Sequence, residues 1–176
     1  METKQTVEEM RWVLGELHYN SMLAVSCLGK TGGLAMLWNN DVDLHIQTYK
    51  QNHIAALIFI DRNSPWQIMG FYGKPEEQLR HETWDLLKHL KSRSSAPWLC
   101  IGDYNEILAL EEKEGGHPKP IRLMNNFRST LLHYELIDLG YTRNMFTWNN
   151  GNVGDDFVQL RLDRACTTVE WRSLFP

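Results

Sequence analysis

Pro97-Trp98-Leu99-Cys100-Ile101-Gly102-Asp103-Tyr104-Asn105-Glu106 is an apolar run that stops abruptly in Gly-Asp-aromatic-Asn. It reads as a buried strand that carries a carboxylate and a carboxamide, two residues apart, to the end of a sheet. Period-2 geometry puts Asp103 and Asn105 on one side of an extended backbone, and Gly102 lets the chain come close to whatever lies there. A phosphate or metal site needs such an arrangement. Gly, Asp and Asn are also ordinary turn formers, so a strand followed by a tight turn is the competing reading of this segment alone.

The flanking sequence alternates between short β-prone runs and helical periodicities. Val7, Met10, Leu14 and Leu17 fall at helical spacing and predict an amphipathic helix over roughly 5 to 19. Five β-prone runs follow, at 22–26, 34–38, 42–49, 54–60 and 66–72, separated by Gly-, Asn- and Pro-rich turns, which predicts antiparallel hairpins. Pro75 opens a helix reaching about Ser92, with Leu79, Leu86, Leu87 and Leu90 as its buried stripe. Another helix is marked by Met124, Phe127, Leu131 and Leu132. Strands follow near 145–149 and 157–162, then a short helix over 169–174. Hairpins with helices inserted between them predict an α+β domain in which two sheets pack face to face under helices. Its chemistry would gather at one end, where loops from both sheets meet.

Composition narrows the classes. With 176 residues, 43% hydrophobic and 23% charged, the chain is long enough for one core-bearing domain spanning 1–176. Cys27, Cys100 and Cys166 are odd in number and far apart, which suggests neither a disulfide framework nor a zinc knuckle and fits an intracellular setting with no disulfide-linked partner. No apolar run is long enough to cross a bilayer. The net charge of −4 offers no global attraction to nucleic acid, so such a partner would depend on metal ions or on a local patch drawn from Lys88, Lys91, Arg93, Lys119 and Arg122. Gly29-Lys30-Thr31 lacks the glycine a phosphate-binding loop needs five residues earlier, where Ala24 stands, and reads as a hairpin turn. The seven histidines form no His-x-x-x-His pair.

What remains is a set of acidic, amide and hydroxyl residues: Glu2 before the first helix, Tyr72, Asp103, Asn105 and Asp163 at strand ends, and Thr147 within Phe146-Thr147-Trp148. Their surroundings are Glu-Thr-Lys at 2–4, Gly-Gly-Leu-Ala at 32–35, Phe71-Tyr72-Gly73, the Pro97–Glu106 stretch, Glu112-Lys113-Glu114-Gly115-Gly116, Asp138-Leu139-Gly140-Tyr141, Phe146-Thr147-Trp148 and Arg161-Leu162-Asp163-Arg164. In this order they resemble the endonuclease/exonuclease/phosphatase superfamily, the fold of abasic-site endonucleases and DNase I. The resemblance is strongest to the endonuclease domains of plant LINE-type (non-LTR) retrotransposons.

The resemblance implies a four-layer α/β sandwich of the DNase I-like type and metal-dependent hydrolysis of a DNA phosphodiester, with Mg²⁺ or Mn²⁺ as cofactor and a nuclear site of action. Glu2 resembles the metal ligand, a hard carboxylate oxygen suited to a hard cation. Asp103 resembles the residue that orients or deprotonates the attacking water, and Asn105 the one that donates to the phosphate or aligns Asp103. Tyr72 resembles the phosphate-contacting tyrosine, and Thr147 and Trp148 the segment on the nucleic-acid side. Asp163 resembles the aspartate that holds a catalytic histidine in the right tautomer.

Two departures qualify this expectation. The family's Asn-bearing first strand and its Ser-Asp-His final strand have no counterpart in the 176 residues, which reads as a partial domain. Loss of an acid-base residue commonly costs about 10²–10⁴-fold in rate, so weak or absent hydrolysis and marginal stability are expected. The alternatives are a non-catalytic relic or nucleic-acid-binding fragment, and a phosphatase or RNA nuclease of the same superfamily.

Overall fold

The short turns between the β-prone runs fold each run back on its neighbour. In the computed structural model, which describes residues 3–29 and 31–176, helix α1 (Val7–Glu16) leads into a hairpin of β1 (Ser21–Leu28) and β2 (Thr31–Trp38). β1 and β2 pair antiparallel, Ser21 opposite Trp38, as a two-stranded sheet of their own. Strands β3 (Leu44–Lys50), β4 (His53–Phe59) and β5 (Pro65–Tyr72) then form an antiparallel meander. Helix α2 (Arg80–Lys91) carries the chain across to β6 (Trp98–Asp103), which lies parallel to β5. Such a parallel step needs a long crossover, and α2 supplies it.

Beyond β6 come β7 (Lys113–Glu114), α3 (Ile121–His133), β8 (Ile137–Asp138), β9 (Trp148–Asn149), β10 (Gln159–Leu160), β11 (Asp163–Thr167) and α4 (Val169–Leu174). The central six-stranded sheet has the order β3-β4-β5-β6-β11-β8, and β7, β10 and β9 make a small third sheet. The β11 strand corrects the sequence expectation at one point: Asp163 opens a strand of the central sheet instead of ending the one before it. Among the described residues no helix is long and apolar enough to cross a membrane.

Alternation decides which face is covered. Met69 and Phe71 on β5, Trp98 and Cys100 on β6 and Cys166 on β11 are buried together with Leu87 and Leu90 of α2 and Phe127 and Leu131 of α3. Trp84 stacks on Phe127 at 5.0 Å, and Phe71 meets Tyr104 edge-on at 4.5 Å. Ile54 and Ala56, of opposite parity to Ala55, are buried as well, where β2 lies against β4 and β5. Leu132 departs from the expected stripe: it is 80% exposed, because α3 turns its i, i+4 pairs Leu123/Phe127 and Phe127/Leu131 inward. Leu17 lies past the last turn of α1 and is exposed.

The start of α1 is set by a capping box. The Thr6 hydroxyl accepts from the Glu9 N–H, and the Glu9 carboxylate accepts in return from the Thr6 N–H at 2.7 Å. Thr6→Ala leaves the first turn's N–H groups without that acceptor and is expected to lower stability by about 1 kcal/mol, read as a lower midpoint in thermal unfolding.

Candidate active site

The parallel pairing of β5 and β6 aligns their ends, with Tyr72 opposite Asp103. The antiparallel β11 begins beside them, with Asp163 opposite Asp103. Directly opposed residues on neighbouring strands project from the same face, so Tyr72, Asp103 and Asp163 form one row across three adjacent strands. All three are partly exposed. Asp103 and Asp163 thus set two hard carboxylate oxygen donors on neighbouring strands.

Asn105 stands just beyond the row. Its backbone has a φ of 53°, in the left-handed region that Asn tolerates better than most residues. Its N–H donates to the Asp103 Oδ1 at 2.7 Å, closing an Asx turn, and its Nδ2 donates to the Gly73 carbonyl at 2.8 Å. Gly73 returns its own N–H to the Asp103 carbonyl at 2.7 Å. The loops after β5 and β6 are thereby locked together, one following Tyr72 and the other carrying Asn105. Close backbone approach is needed for this: a Cβ on Gly73 would lie 3.0 Å from the carbonyl oxygens of Asp103 and Tyr104.

The third supporting segment comes from Thr147. Its Oγ1 accepts N–H groups from both Leu162 and Asp163, each at 3.0 Å, and its N–H donates to the Leu160 carbonyl at 2.9 Å. Thr147 therefore fixes where β11 starts and where Asp163 stands. Trp148, next to it on β9, is 43% exposed. Glu2, the expected metal ligand, lies outside the described residues.

Tyr72 also borders a cavity of about 170 Å³ shared with Lys50, Asn52, His53 and Lys74. His53 is nearly buried, and burial together with the nearby Lys50 and His89 pushes its imidazole pKa down, toward the neutral form. Cys100 and Cys166 face each other across β6 and β11. Burial pushes both thiols up, Cys166 to about 12, so they behave as core residues and not as nucleophiles.

Sequence reasoning gave no role to Glu112, Asp138, Arg161 or Arg164, and the structure joins them. Arg161 donates to Glu112 at 2.9 Å and to Asp138 at 2.8 Å. Arg164, with a fully buried side chain, donates to the same two carboxylates. Burial would push the carboxyls of Glu112 and Asp138 up; the arginines and backbone N–H donors outweigh it and hold both below their ordinary values. The network sits behind the site: Glu112 also accepts from the Leu108 N–H at 2.6 Å, on the loop that follows Asn105. The signal in the sequence was Arg161 and Arg164 flanking Leu162 in a stretch with too few apolar residues to form a core strand unaided.

Part of the expected basic patch is already engaged. Lys119 is paired with the buried Glu106, and Arg122 with Glu77. Lys91 lies over the Trp98 ring, 6.0 Å from its centroid.

A divalent cation is the group that the resemblance in sequence implies. Asp103, Asp163 and Asn105 supply hard oxygen donors of the right class, yet among the described residues no three His, Cys, Asp or Glu side chains converge as a metal site. The described residues alone thus do not make a complete cation site.

No protein-family model and no curated protein matches the chain. Solved structures do. The endonuclease domain of TRAS1, a telomere-specific non-LTR retrotransposon, superposes with a TM-score of 0.70 at 13% identity, over 98% of this chain and 83% of that one. The 3′ phosphatase NExo from Neisseria, bound to a product DNA hairpin, gives 0.66 at 13% identity, over 96% and 74%. TDP2 from D. rerio, complexed with a single-strand DNA product, gives 0.56 at 10% identity, over 94% and 68%. At such identities the likeness is one of backbone architecture, and at that level the sequence expectation is borne out: this chain has the α+β fold of the DNase I-like endonuclease/exonuclease/phosphatase enzymes.

Proposed function

We propose that the chain carries a phosphodiester-hydrolysing site that acts on DNA with Mg²⁺ or Mn²⁺. The observation that carries this reading is the row Tyr72, Asp103 and Asp163 at one end of the sheet, with Asn105 folded against it. Asp103 is suited to take the proton of an attacking water or to orient it, its carboxylate held in place by the Asn105 N–H. The Asn105 carboxamide has a second N–H to offer a phosphate oxygen, since the first is given to Gly73. Tyr72 adds a phenolic hydroxyl on the same row, beside the lysines Lys50 and Lys74, which favour an anionic backbone. Asp163 is suited to orient a proton-carrying group, and the exposed Trp148 ring is suited to stack on a base. A divalent cation, with Glu2 among its ligands, would polarise the phosphate and neutralise its charge.

The test is relaxation of supercoiled plasmid with Mg²⁺ or Mn²⁺, against chelator. Asp103→Ala is expected to lower the nicking rate by about 10²- to 10³-fold, the range for losing a positioned proton acceptor. Nicking that survives in Asp103→Ala would assign the activity elsewhere.

The alternative is a non-catalytic nucleic-acid-binding domain, in which the exposed Trp148 ring and the lysines Lys50 and Lys74 beside Tyr72 hold nucleic acid without hydrolysing it. It predicts salt-sensitive DNA binding with no nicking in either chain. A further arm with a 3′-phosphorylated oligonucleotide separates a phosphatase, which releases inorganic phosphate without cutting the strand.

A further inference from the structure

We infer that Arg80, Glu106 and Lys119 are positioning residues that clamp the loop following Tyr72 to the loop that carries Asn105. The inference rests on the hydrolytic reading above. Glu106 follows Asn105 directly and is wholly buried. A buried carboxylate is tolerated only when paired and hydrogen-bonded, and Glu106 is both. Its Oε2 accepts from Arg80 Nη1, and its Oε1 accepts from Lys119 Nζ at 2.9 Å and from the Ile107 N–H at 3.0 Å.

The geometry does more than neutralise a charge. Arg80 also donates through Nη2 to the Pro75 carbonyl at 3.1 Å, so one guanidinium spans the 73–75 loop and the 103–108 loop. These are the loops that meet where Asn105 Nδ2 donates to Gly73. Just beyond, the Lys74 N–H is fixed by the Thr83 hydroxyl at 2.9 Å, on the same helix as Arg80. Asn105 occupies a left-handed backbone conformation that persists only where its surroundings over-determine it. Lys119 reaches Glu106 from the segment leading into α3, so α2, that segment and both site loops are tied through one carboxylate. A shift of an ångström at such a loop is enough to slow a reaction about 100-fold, which is why the clamp bears on rate and not only on stability.

Two variants weaken the clamp by one arm each. Lys119→Met removes one cation and leaves the Arg80–Glu106 pair. Arg80→Lys keeps the charge but loses the planar fork that reaches Pro75 and Glu106 together. Arg11→Met is the control, since it cuts the exposed Arg11–Glu8 pair on α1 without touching Glu106 or the basic patch. Two readouts are taken: metal-dependent nicking as a function of plasmid concentration, and the Asn105 side-chain amide signal in ¹⁵N–¹H spectra, assigned by its loss in Asn105→Ala.

In both clamp variants the Asn105 signal is expected to shift or broaden, and kcat to fall about 10-fold or more with KM within two-fold. The control should leave both unchanged. Because the amide readout needs no turnover, wild-type protein that fails to nick plasmid overturns the hydrolytic reading, and the clamp is still judged on the spectrum. An unshifted Asn105 signal in folded Lys119→Met and Arg80→Lys overturns the clamp. So does unfolding of both variants, which would make the trio a folding determinant and not a positioning device.

Discussion

A Gly102→Ala chain is expected to lose its native fold, with a cost on the order of 5 kcal/mol or more, in the range reserved for severe single substitutions. Gly102 lies in β6 between Phe71 of β5 and Arg164 of β11. A Cβ placed there would sit 1.8 Å from the Phe71 carbonyl oxygen and 2.8 Å from its carbonyl carbon, where ordinary Cβ contacts begin near 3.4 Å. The obstruction is backbone, so no rotamer change relieves it. Strands β5 and β6 would have to part by more than an ångström at the point where they align Tyr72 with Asp103. That separation would also open the covered face at Phe71 and Tyr104, both fully buried. Gly70→Ala, one residue before Phe71 on β5 and opposite Ile101, is the matched control: its Cβ meets nothing within 4 Å, and its effect should stay within about 1 kcal/mol. Circular dichroism and urea unfolding of the two chains provide the comparison. Comparable stabilities would mean that β5 and β6 can yield at Gly102.

The close approach at Gly102 illustrates how the sequence was readable. A glycine between Ile101 and Asp103 signalled a backbone neighbour, and Asp103, Asn105, Tyr72 and Asp163 were visible because polar residues ending β-prone runs have few structural reasons to be there. Their assembly into one row was not visible, because it depends on β5 and β6 being parallel and on β11 inserting beside β6, and hydrophobic periodicity does not encode strand order. β11 itself was missed for a related reason. Its sequence, Asp-Arg-Ala-Cys-Thr, carries two charges, and it reads as a core strand only once Arg164 is known to be neutralised by Glu112 and Asp138. Glu106 and Arg80 escaped notice in the same way. A charged residue looks solvated until its partner, 26 residues away, is seen to share its burial. Apolar burial can be read locally; ionic burial cannot.

That ionic layer carries the second large effect. Arg164→Met is expected to destabilise the protein by about 3–5 kcal/mol, because removing one partner of a buried ion-pair network leaves the others desolvated and under-compensated. Arg164 donates to both oxygens of Glu112, to Asp138 and to the Arg161 carbonyl, and its guanidinium lies 5.4 Å from the Phe127 ring centroid. Arg164→Lys is not expected to restore stability, since a single ammonium cannot reproduce the fork that serves two carboxylates at once. The network also fixes the direction of the acid response. Glu112 and Asp138 are held below their ordinary values of 4.5 and 3.8, so in the unfolded chain they take up protons at higher pH than in the folded one. Their contribution is present in full above about pH 6 and is lost as pH falls through those ordinary values toward the lowered folded ones. With Arg164 replaced, the folded carboxyls move back up, and the slope of stability against pH below about 5 should flatten. Urea unfolding midpoints at a series of pH values read both effects. An Arg164→Met chain that tracks wild type in parallel, at nearly equal stability, would show that Arg161 alone satisfies the two carboxylates.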